Sequence, residues 1–235
     1  MAIFKTNDCA HIHYEIEGEG RALVMLHGWD QSAKAFCENI PVLSKKYKVI
    51  SVDLRGHGDS ENVAYGYQIS RLATDVKELL DALDVQDAVM CSSDLLINES
   101  NPFGFADNDA CVALREQILT DTENATEGFV EMMLITPEGR EKYFRQTVDE
   151  SLKFPKEQCA LLFLNHVYTD WRDVIQTITL PTLVIGAKKS HVKVENNIWT
   201  HEHIPGSELK IFETAHMMFM EEPEAFNQAV IDFIG

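Results

Sequence analysis

The chain has 235 residues, 45% of them apolar, which is enough for a single sizeable core with or without an insertion. Its 38 acidic residues and 20 Lys and Arg give a net charge of -18, and such a charge repels phosphate backbones and anionic lipid headgroups. Nucleic acid and membrane surfaces are therefore not expected as partners. The N-terminus has no long apolar segment and no run of about 18 apolar residues follows, so a cytoplasmic location is expected.

The first half of the chain alternates strand and helix patterns. AHIHYEIE alternates with a period of two, whereas ALVMLHG is a continuous apolar run ending in glycine, as in a buried parallel strand. KAFCENIPVLSKKY has helical spacing, and KVISVDLRGHG returns to a strand followed by a glycine-rich loop. These segments predict a β-α-β unit.

A second helix and strand follow this unit. The segment ISRLATDVKELLDALDV places its apolar residues on one helical face, which predicts a helix packed on a sheet. The strand pattern DAVM comes next, and residues 98–110 are loop by composition.

The second half begins with helices and returns to strands. Three acidic amphipathic stretches, at about 109–134, 137–152 and 156–169, predict a helical insertion. LPTLVIGAKK and SELKIFETAH then predict buried strands, and PEAFNQAVIDFI predicts a final helix. We predict a mostly parallel α/β sheet formed by residues 1–94 and 171–235, with a helical lid at 95–170.

Four motifs in a fixed order carry a family resemblance. VMLHGW at 24–29, VDLRGHGDS at 52–60, LPTLVIG at 180–186 and ETAHMMFMEEPEAF at 213–226 resemble the α/β-hydrolase superfamily, particularly its small, esterase-like, lid-bearing serine hydrolases. The resemblance covers nearly all of the chain outside the predicted lid. It implies the α/β-hydrolase fold, in which a mostly parallel central sheet has helices on both faces and a helical lid.

The resemblance also implies roles for two loops. The backbone N–H of Trp29 would stabilise an oxyanion, with His27 and Gly28 supporting the turn, because glycine lets the backbone approach the developing charge. His216 would act as general base and then general acid, since the pKa of histidine lies near working pH. The alternatives are that Gly28 and Trp29 only form a tight turn and fill the core, and that His216 packs against neighbouring methionines.

Other glycines and histidines have structural interpretations. Gly56 and Gly58 are expected to adopt unusual backbone angles, and His57 to be a hydrogen-bonded structural residue. Two histidine pairs could each share a strand face, but neither has a clear third ligand, so neither a metal nor another cofactor is expected. These pairs are His11 with His13 and His201 with His203.

The acid of the catalytic triad is displaced from its usual place. In the family it follows the penultimate strand in a pattern like G-x-x-D, where this chain has Lys189, and a cation cannot stabilise imidazolium. Asp94 is the first candidate acid, because some members carry the acid one strand earlier; the alternative is a strand-end aspartate that bonds the loop. Glu195 is the second candidate.

The nucleophile is missing from the segment DAVMCSSD. A nucleophile elbow needs small residues two before and two after the nucleophile, and Cys91, Ser92 and Ser93 all lack them. The pattern passes directly from the start of one strand to the end of the next near Met90 and Cys91. An elbow, a helix and a return strand, about 25 to 30 residues, would belong between them. We favour an interruption of the sequence over a true deletion, since excising this unit would cost more than about 5 to 15 kcal/mol.

Two functions are consistent with these patterns. The first is hydrolysis of a small carboxylic ester or related acyl compound by a Ser-His-acid mechanism whose nucleophile the chain does not contain. The second is a catalytically inactive, hydrolase-like binding protein. A small acyl compound is the expected ligand, and the sequence gives no indication of the oligomeric state.

Overall fold

The computed structural model describes residues 2–91 and 108–235, which fall into two compact units. One unit contains residues 2–91 and 145–165, and the other contains residues 108–144 and 166–233. Each unit has its own β-sheet.

The sheet of the first unit has five strands in the order β1-β2-β4-β3-β5. Its central pairs, β3 with β4 and β3 with β5, are parallel, whereas β1 and β2 add an antiparallel edge. The buried apolar runs of β3 and β4 explain their central position, because a strand covered on both faces needs continuous apolar residues. The strands are β1 Ala2–Lys5, β2 His11–Glu17, β3 Ala22–Leu26, β4 Lys48–Val52 and β5 Ala88–Cys91.

Helix α2, Ile69–Ala82, packs on this sheet through the face that the sequence predicts. Val76 and Leu79 join Val24 and Ile50 in one buried cluster. The helix predicted between β3 and β4 is different in the structure: it is a 3₁₀ helix, Ala33–Phe36, followed by a short α1, Ile40–Leu43. Pro41 explains the division, because proline lacks the N–H that would continue a helix from the preceding turn.

Four helices occupy the described part of the predicted insertion. The stretch predicted as one helix from 109 to 134 forms two helices that separate at Asp121, whose backbone is not helical. The part of the predicted lid before residue 108 lies outside the described residues, and the lid itself stays a prediction. The helices are α3 Asn108–Thr120, α4 Thr122–Met133, α5 Pro137–Ser151 and α6 Lys156–Tyr168.

The second unit has a two-stranded parallel sheet of β6, Leu183–Ala187, and β7, Glu208–Phe212. Three helices here were not predicted: α7, Arg172–Ile175, α8, Val194–His203, and α9, Met218–Glu221. The predicted final helix is α10, Pro223–Ile234.

Helix α8 corrects the prediction that His201 and His203 share a strand face. Residues two apart on a helix point in different directions, because the helix has 3.6 residues per turn. His203 stacks on Trp199 at 3.8 Å between ring centroids, whereas the Nδ1 of His201 lies 2.9 Å from the Ser207 hydroxyl.

The predicted fold class is confirmed: the fold is an α/β fold with a mixed, mostly parallel sheet arrangement. Three of the five strand pairings in the described residues are parallel. No helix in the described ranges is both long and apolar enough to cross a membrane.

Candidate active site

The turn after β3 is held by the His27 side chain. The Leu54 N–H donates to His27 Nε2 at 2.9 Å, which leaves the ring hydrogen on Nδ1 to be donated to the Gly28 carbonyl at 2.8 Å. Burial lowers the pKa of His27, so the ring stays neutral. His27 therefore fixes the backbone of the predicted oxyanion turn, in the supporting position that the sequence indicated.

Helices α5 and α6 hold the next two residues of this turn. The Trp29 indole N–H donates to the Cys159 carbonyl at 3.1 Å, and the indole lies 5.1 Å from the Phe163 ring. The Ser151 hydroxyl donates to the carbonyl of Asp30, which has a φ of 59°. Trp29 thus does fill a packed position, yet its packing also fixes where its backbone lies. The sequence patterns gave no signal for these contacts, which join residues more than a hundred positions apart.

Asp30 is a buried carboxyl that the sequence patterns did not single out. Its Oδ1 accepts a hydrogen bond from the Cys159 thiol at 3.8 Å. Burial raises the pKa of Asp30 well above its ordinary value, because a carboxylate loses its hydration there. Asp30 is accordingly a buried structural partner of α6.

The loop after β4 is organised around the Asp53 carboxylate. Its Oδ1 accepts from the Ala33 N–H at 2.7 Å, and its Oδ2 accepts from the Asp59 N–H at 3.0 Å and lies 2.8 Å from His13 Nδ1. A Cβ on Gly58 would lie 2.4 Å from the Asp53 carboxyl carbon. The loop therefore needs glycine at this position.

The backbone of this loop confirms the predicted unusual angles: Gly56 has a φ of 77° and Gly58 a φ of 53°. His57 is fully buried, and its Nδ1 lies 2.9 Å from the Arg55 carbonyl. Burial lowers the pKa of His57 to about 3. Its geometry fits the structural role expected for it.

One group of potential metal ligands occurs within the described residues: His13, Asp53 and Asp59. Both oxygens of Asp53 already accept hydrogen bonds from the protein. The third member, Asp59, is exposed and lies 3.6 Å from the Lys153 ammonium. Backbone organisation accounts for this group. The other strand histidine, His11, is exposed and pairs with Glu61.

Strand β5 ends where the predicted nucleophile should follow. It includes Met90 and Cys91, which pair with successive residues of β3. The interruption favoured from the sequence stays a prediction, and the sequence after Cys91 contains no elbow pattern. Burial raises the pKa of the Cys91 thiol to about 11, which keeps it from forming a nucleophilic thiolate. Ser92, Ser93 and Asp94 lie outside the described residues.

In the second unit, His216 follows β7 and contacts the loop after β6. Its Nδ1 lies 3.2 Å from the Ser190 hydroxyl, and its ring centroid lies 4.6 Å from that of His191. His191 in turn meets Phe129 edge-on at 5.2 Å. His216 keeps some exposed surface, but the surrounding protein lowers its pKa to about 4 by desolvation. Its neutral imidazole can accept a proton.

Glu221 holds the His216 loop from the other side. Its Oε1 accepts from the N–H groups of Ile135 and Thr136 at 2.7 and 2.8 Å, and its Oε2 accepts from the Ala215 N–H at 3.3 Å. Glu221 therefore ties the residue before His216 to the end of α4. Sequence reasoning missed this role, although a glutamate shortly after the histidine was visible.

Neither Lys189, at the family's usual acid position, nor Glu195 is hydrogen-bonded to His216. The Lys189 side chain is exposed, and only its backbone N–H bonds β7, through the Thr214 carbonyl at 3.0 Å. Glu195 is exposed in the first turn of α8. Within the part of the chain that the structure describes, no carboxylate is hydrogen-bonded to His216, and Ser190 is the residue at its Nδ1.

A family model for the alpha/beta hydrolase fold matches residues 21–91. The chain is 30% identical to 3-oxoadipate enol-lactonase 2 of Acinetobacter baylyi over 238 residues, which covers 89% of this chain and 86% of that protein. The chain belongs to the α/β-hydrolase family. With relatives of this kind it is a hydrolase.

Solved structures agree with this assignment. The hydrolase is similar to an esterase from Exiguobacterium antarcticum, with a TM-score of 0.91, 25% identity and coverage of 99% of this chain and 98% of that one. It also shares its fold with a bromoperoxidase from Bacillus anthracis, with a TM-score of 0.91, 21% identity and 99% coverage of both chains.

The comparisons also bear on the missing elbow of this hydrolase. The alignment with the enol-lactonase is 238 residues long, which exceeds the 235 residues of this hydrolase. Yet the alignment includes only 89% of the hydrolase's own residues. The relative therefore has residues inside the aligned span that this chain lacks. The family model's match ends at residue 91, where β5 ends.

Proposed function

We propose that the site is built to hydrolyse a small, fairly apolar carboxylic ester or lactone by acyl transfer. The observation that carries the proposal is His216: a neutral imidazole in a loop after β7, with Nδ1 on Ser190 and aromatic rings nearby. A histidine held by its Nδ1 has Nε2 available for proton transfer. The similarity to an enol-lactonase and an esterase supports the substrate class.

In this proposal His216 takes a proton from the attacking group and returns it to the leaving oxygen. The Trp29 backbone N–H stabilises the oxyanion, in a turn supported by His27 and Gly28. The fixed geometry of that turn favours this role, because a preorganised donor needs no rearrangement during the reaction. For the acid, the sequence predicts Asp94 first and Glu195 second, whereas Ser190 is the described residue at His216 Nδ1.

The nucleophile of this site stays unassigned. The described residues offer Cys91, whose high pKa argues against it, and neither serine that follows has the small neighbours of an elbow. We therefore expect the 235-residue chain to bind a small ester without covalent turnover.

Two assays test the proposal. A fluorophosphonate probe should not label the chain, and p-nitrophenyl butyrate hydrolysis should not exceed that of a His216→Ala control. A chimera that carries, between Met90 and Cys91, the residues of the A. baylyi enol-lactonase that this chain lacks in the aligned span should hydrolyse the ester and be labelled. His216→Ala in the chimera should abolish turnover, since general-base catalysis alone contributes about 10²–10⁴-fold.

The outcomes separate the possibilities. A folded, labelled chimera that keeps its rate after His216→Ala would remove His216 from the mechanism. Stoichiometric labelling of Ser92 or Ser93 in the 235-residue chain would instead make that chain a complete serine hydrolase.

A second candidate function, a hydrolase-like binding protein, is favoured by one observation: a serine, not a carboxylate, contacts His216 in the described residues. This candidate predicts that a short-chain ester binds the chain and perturbs the His216 ring signals. It also predicts that a folded chimera stays inactive.

A further inference from the structure

We propose that Ser190 takes the place of the triad acid in this chain, so that a hydroxyl and not a carboxylate positions the His216 imidazole. The inference rests on the proposed role of His216 as the base, and it makes Ser190 a positioning residue. Its geometry lies wholly within the second unit.

The first step is the hydrogen-bonding capacity of the Ser190 hydroxyl. Its oxygen accepts a hydrogen bond from the Val192 N–H at 3.0 Å and lies 3.2 Å from His216 Nδ1. A hydroxyl oxygen has two lone pairs, so it can accept from both groups. In that arrangement His216 carries its hydrogen on Nδ1, which is the tautomer that a base acting through Nε2 requires.

The second step is the identity of the charged and titratable groups around His216. His191, on the loop after β6, and His166, on α6, face His216. Burial lowers their pKa values to about 3 and about 4, so both are neutral at pH 7. Glu221 is directed at backbone N–H groups, and the Lys189 ammonium is exposed. No group among these supplies the negative charge that an aspartate would place at Nδ1.

The family's G-x-x-D pattern falls on Lys189, whereas the next residue, Ser190, contacts His216. The loop after β6 is fixed to β7 by the N–H groups of Lys188 and Lys189, which donate to the Phe212 and Thr214 carbonyls at 2.9 and 3.0 Å. The Ser190 N–H turns back to the Ala187 carbonyl at 3.3 Å. This turn brings Ser190 to His216 and leaves the Lys189 side chain in solvent.

A functional consequence follows. A serine fixes the orientation and tautomer of the ring but cannot compensate the charge of imidazolium, so the base is oriented without being strengthened. An aspartate at the same place would do both.

The test is a titration of the His216 ring by ¹H–¹⁵N NMR in the full chain. Ser190→Asp should raise the pKa of His216 by about 1 to 3 pH units, because a carboxylate would then lie at Nδ1. Lys189→Asp is the matched control: it changes the charge of the loop by more, but from an exposed position, and should change this pKa by less than about 0.5. Ser190→Ala should shift the ring ¹⁵N signals away from the Nδ1–H tautomer.

Three results would overturn the inference. One is an equal pKa response to Ser190→Asp and Lys189→Asp, and another is an unchanged tautomer in a folded Ser190→Ala protein. The third is a fall in the pKa of His216 on Asp94→Asn, which would make Asp94 the acid. None of these readings needs turnover, so a chimera without esterase activity would remove the proposed function and leave the titration result standing.

Discussion

The loop after β4 and the loop after β7 both enclose a histidine, but they treat buried polar groups differently. In the first, the Asp53 carboxylate accepts several hydrogen bonds and Arg55 is paired with two carboxylates. In the second, His216 meets a serine hydroxyl and another neutral histidine. The charged side chains of the first loop are therefore compensated by partners of opposite charge or by N–H donors. The second keeps His216 neutral, with no charged hydrogen-bond partner among the described residues, which suits the role of base proposed for it.

The largest expected loss of stability comes from removing Arg55, which compensates charge in the loop after β4. Arg55 is fully buried, and its guanidinium donates twice to Asp75 at 2.8 Å and once to Asp8 at 2.9 Å. Arg55→Met leaves the buried Asp75 without this partner, so the free energy of unfolding should fall by about 3–5 kcal/mol in urea denaturation. Arg172→Met, which breaks a more exposed pair with Asp170, is the control and should cost about 0–1 kcal/mol.

The Arg55 prediction has a further check. Adding Asp75→Leu to Arg55→Met should recover part of the lost stability, because it removes a buried carboxylate whose remaining charged partner is the partly exposed Arg71. Equal losses for Arg55→Met and Arg172→Met would show that the buried network contributes no more than a surface pair.

The next prediction concerns how stability depends on pH, because each unit contains a neutral, buried histidine. Burial lowers the pKa of His57 in the first unit to about 3 and that of His166 in the second to about 4. As pH falls below 6.5 the unfolded chain takes up these protons before the folded chain does, so the free energy of unfolding should decrease. The contribution is complete above pH 6.5 and is lost progressively down to about pH 3 to 4.

Single substitutions measure how much each histidine contributes to this pH dependence of stability. Between pH 6.5 and 5, His57→Gln and His166→Gln should each flatten the slope by up to about 1.4 kcal/mol per pH unit. Chemical denaturation at three pH values measures the slope. If either variant keeps the wild-type slope, that histidine is not held neutral by its surroundings.

The sequence predicted the first unit better than the surroundings of His216. The strands, α2 and the glycine angles around His57 follow from local patterns: apolar runs, a helical face and residues that tolerate positive φ. Helix α8 was missed because its apolar residues show no clear helical face. The division at Asp121 was missed because acidic residues continue on both sides of it.

The candidate site was only half visible in the sequence for a related reason. His27, Gly28 and His216 belong to motifs, so the sequence predicted which loops form the candidate site. Ser190 could not, because the motif register indicates Lys189 and only the hydrogen bonds of the loop reveal the turn that selects its neighbour. Likewise, Glu221 and the contacts of Trp29 with α6 join segments far apart in sequence, which periodicity does not report.

The smallest expected loss of stability comes from substituting a single glycine, and one glycine from each unit is compared. A Cβ at Gly58 would lie 2.4–2.5 Å from the Asp53 carboxylate, which its hydrogen bonds hold in place, and the φ of 53° adds backbone strain. A Cβ at Gly186, which has no positive φ, would lie 2.5–2.9 Å from the Asn197 side chain, whose amide can rotate away and whose Cβ must shift slightly. Gly58→Ala should therefore lower the free energy of unfolding by about 1–3 kcal/mol and Gly186→Ala by less than about 1 kcal/mol. Thermal unfolding of the two variants side by side measures the difference, and a larger loss for Gly186→Ala would mean that the Asp53 loop yields more readily than its hydrogen bonds indicate.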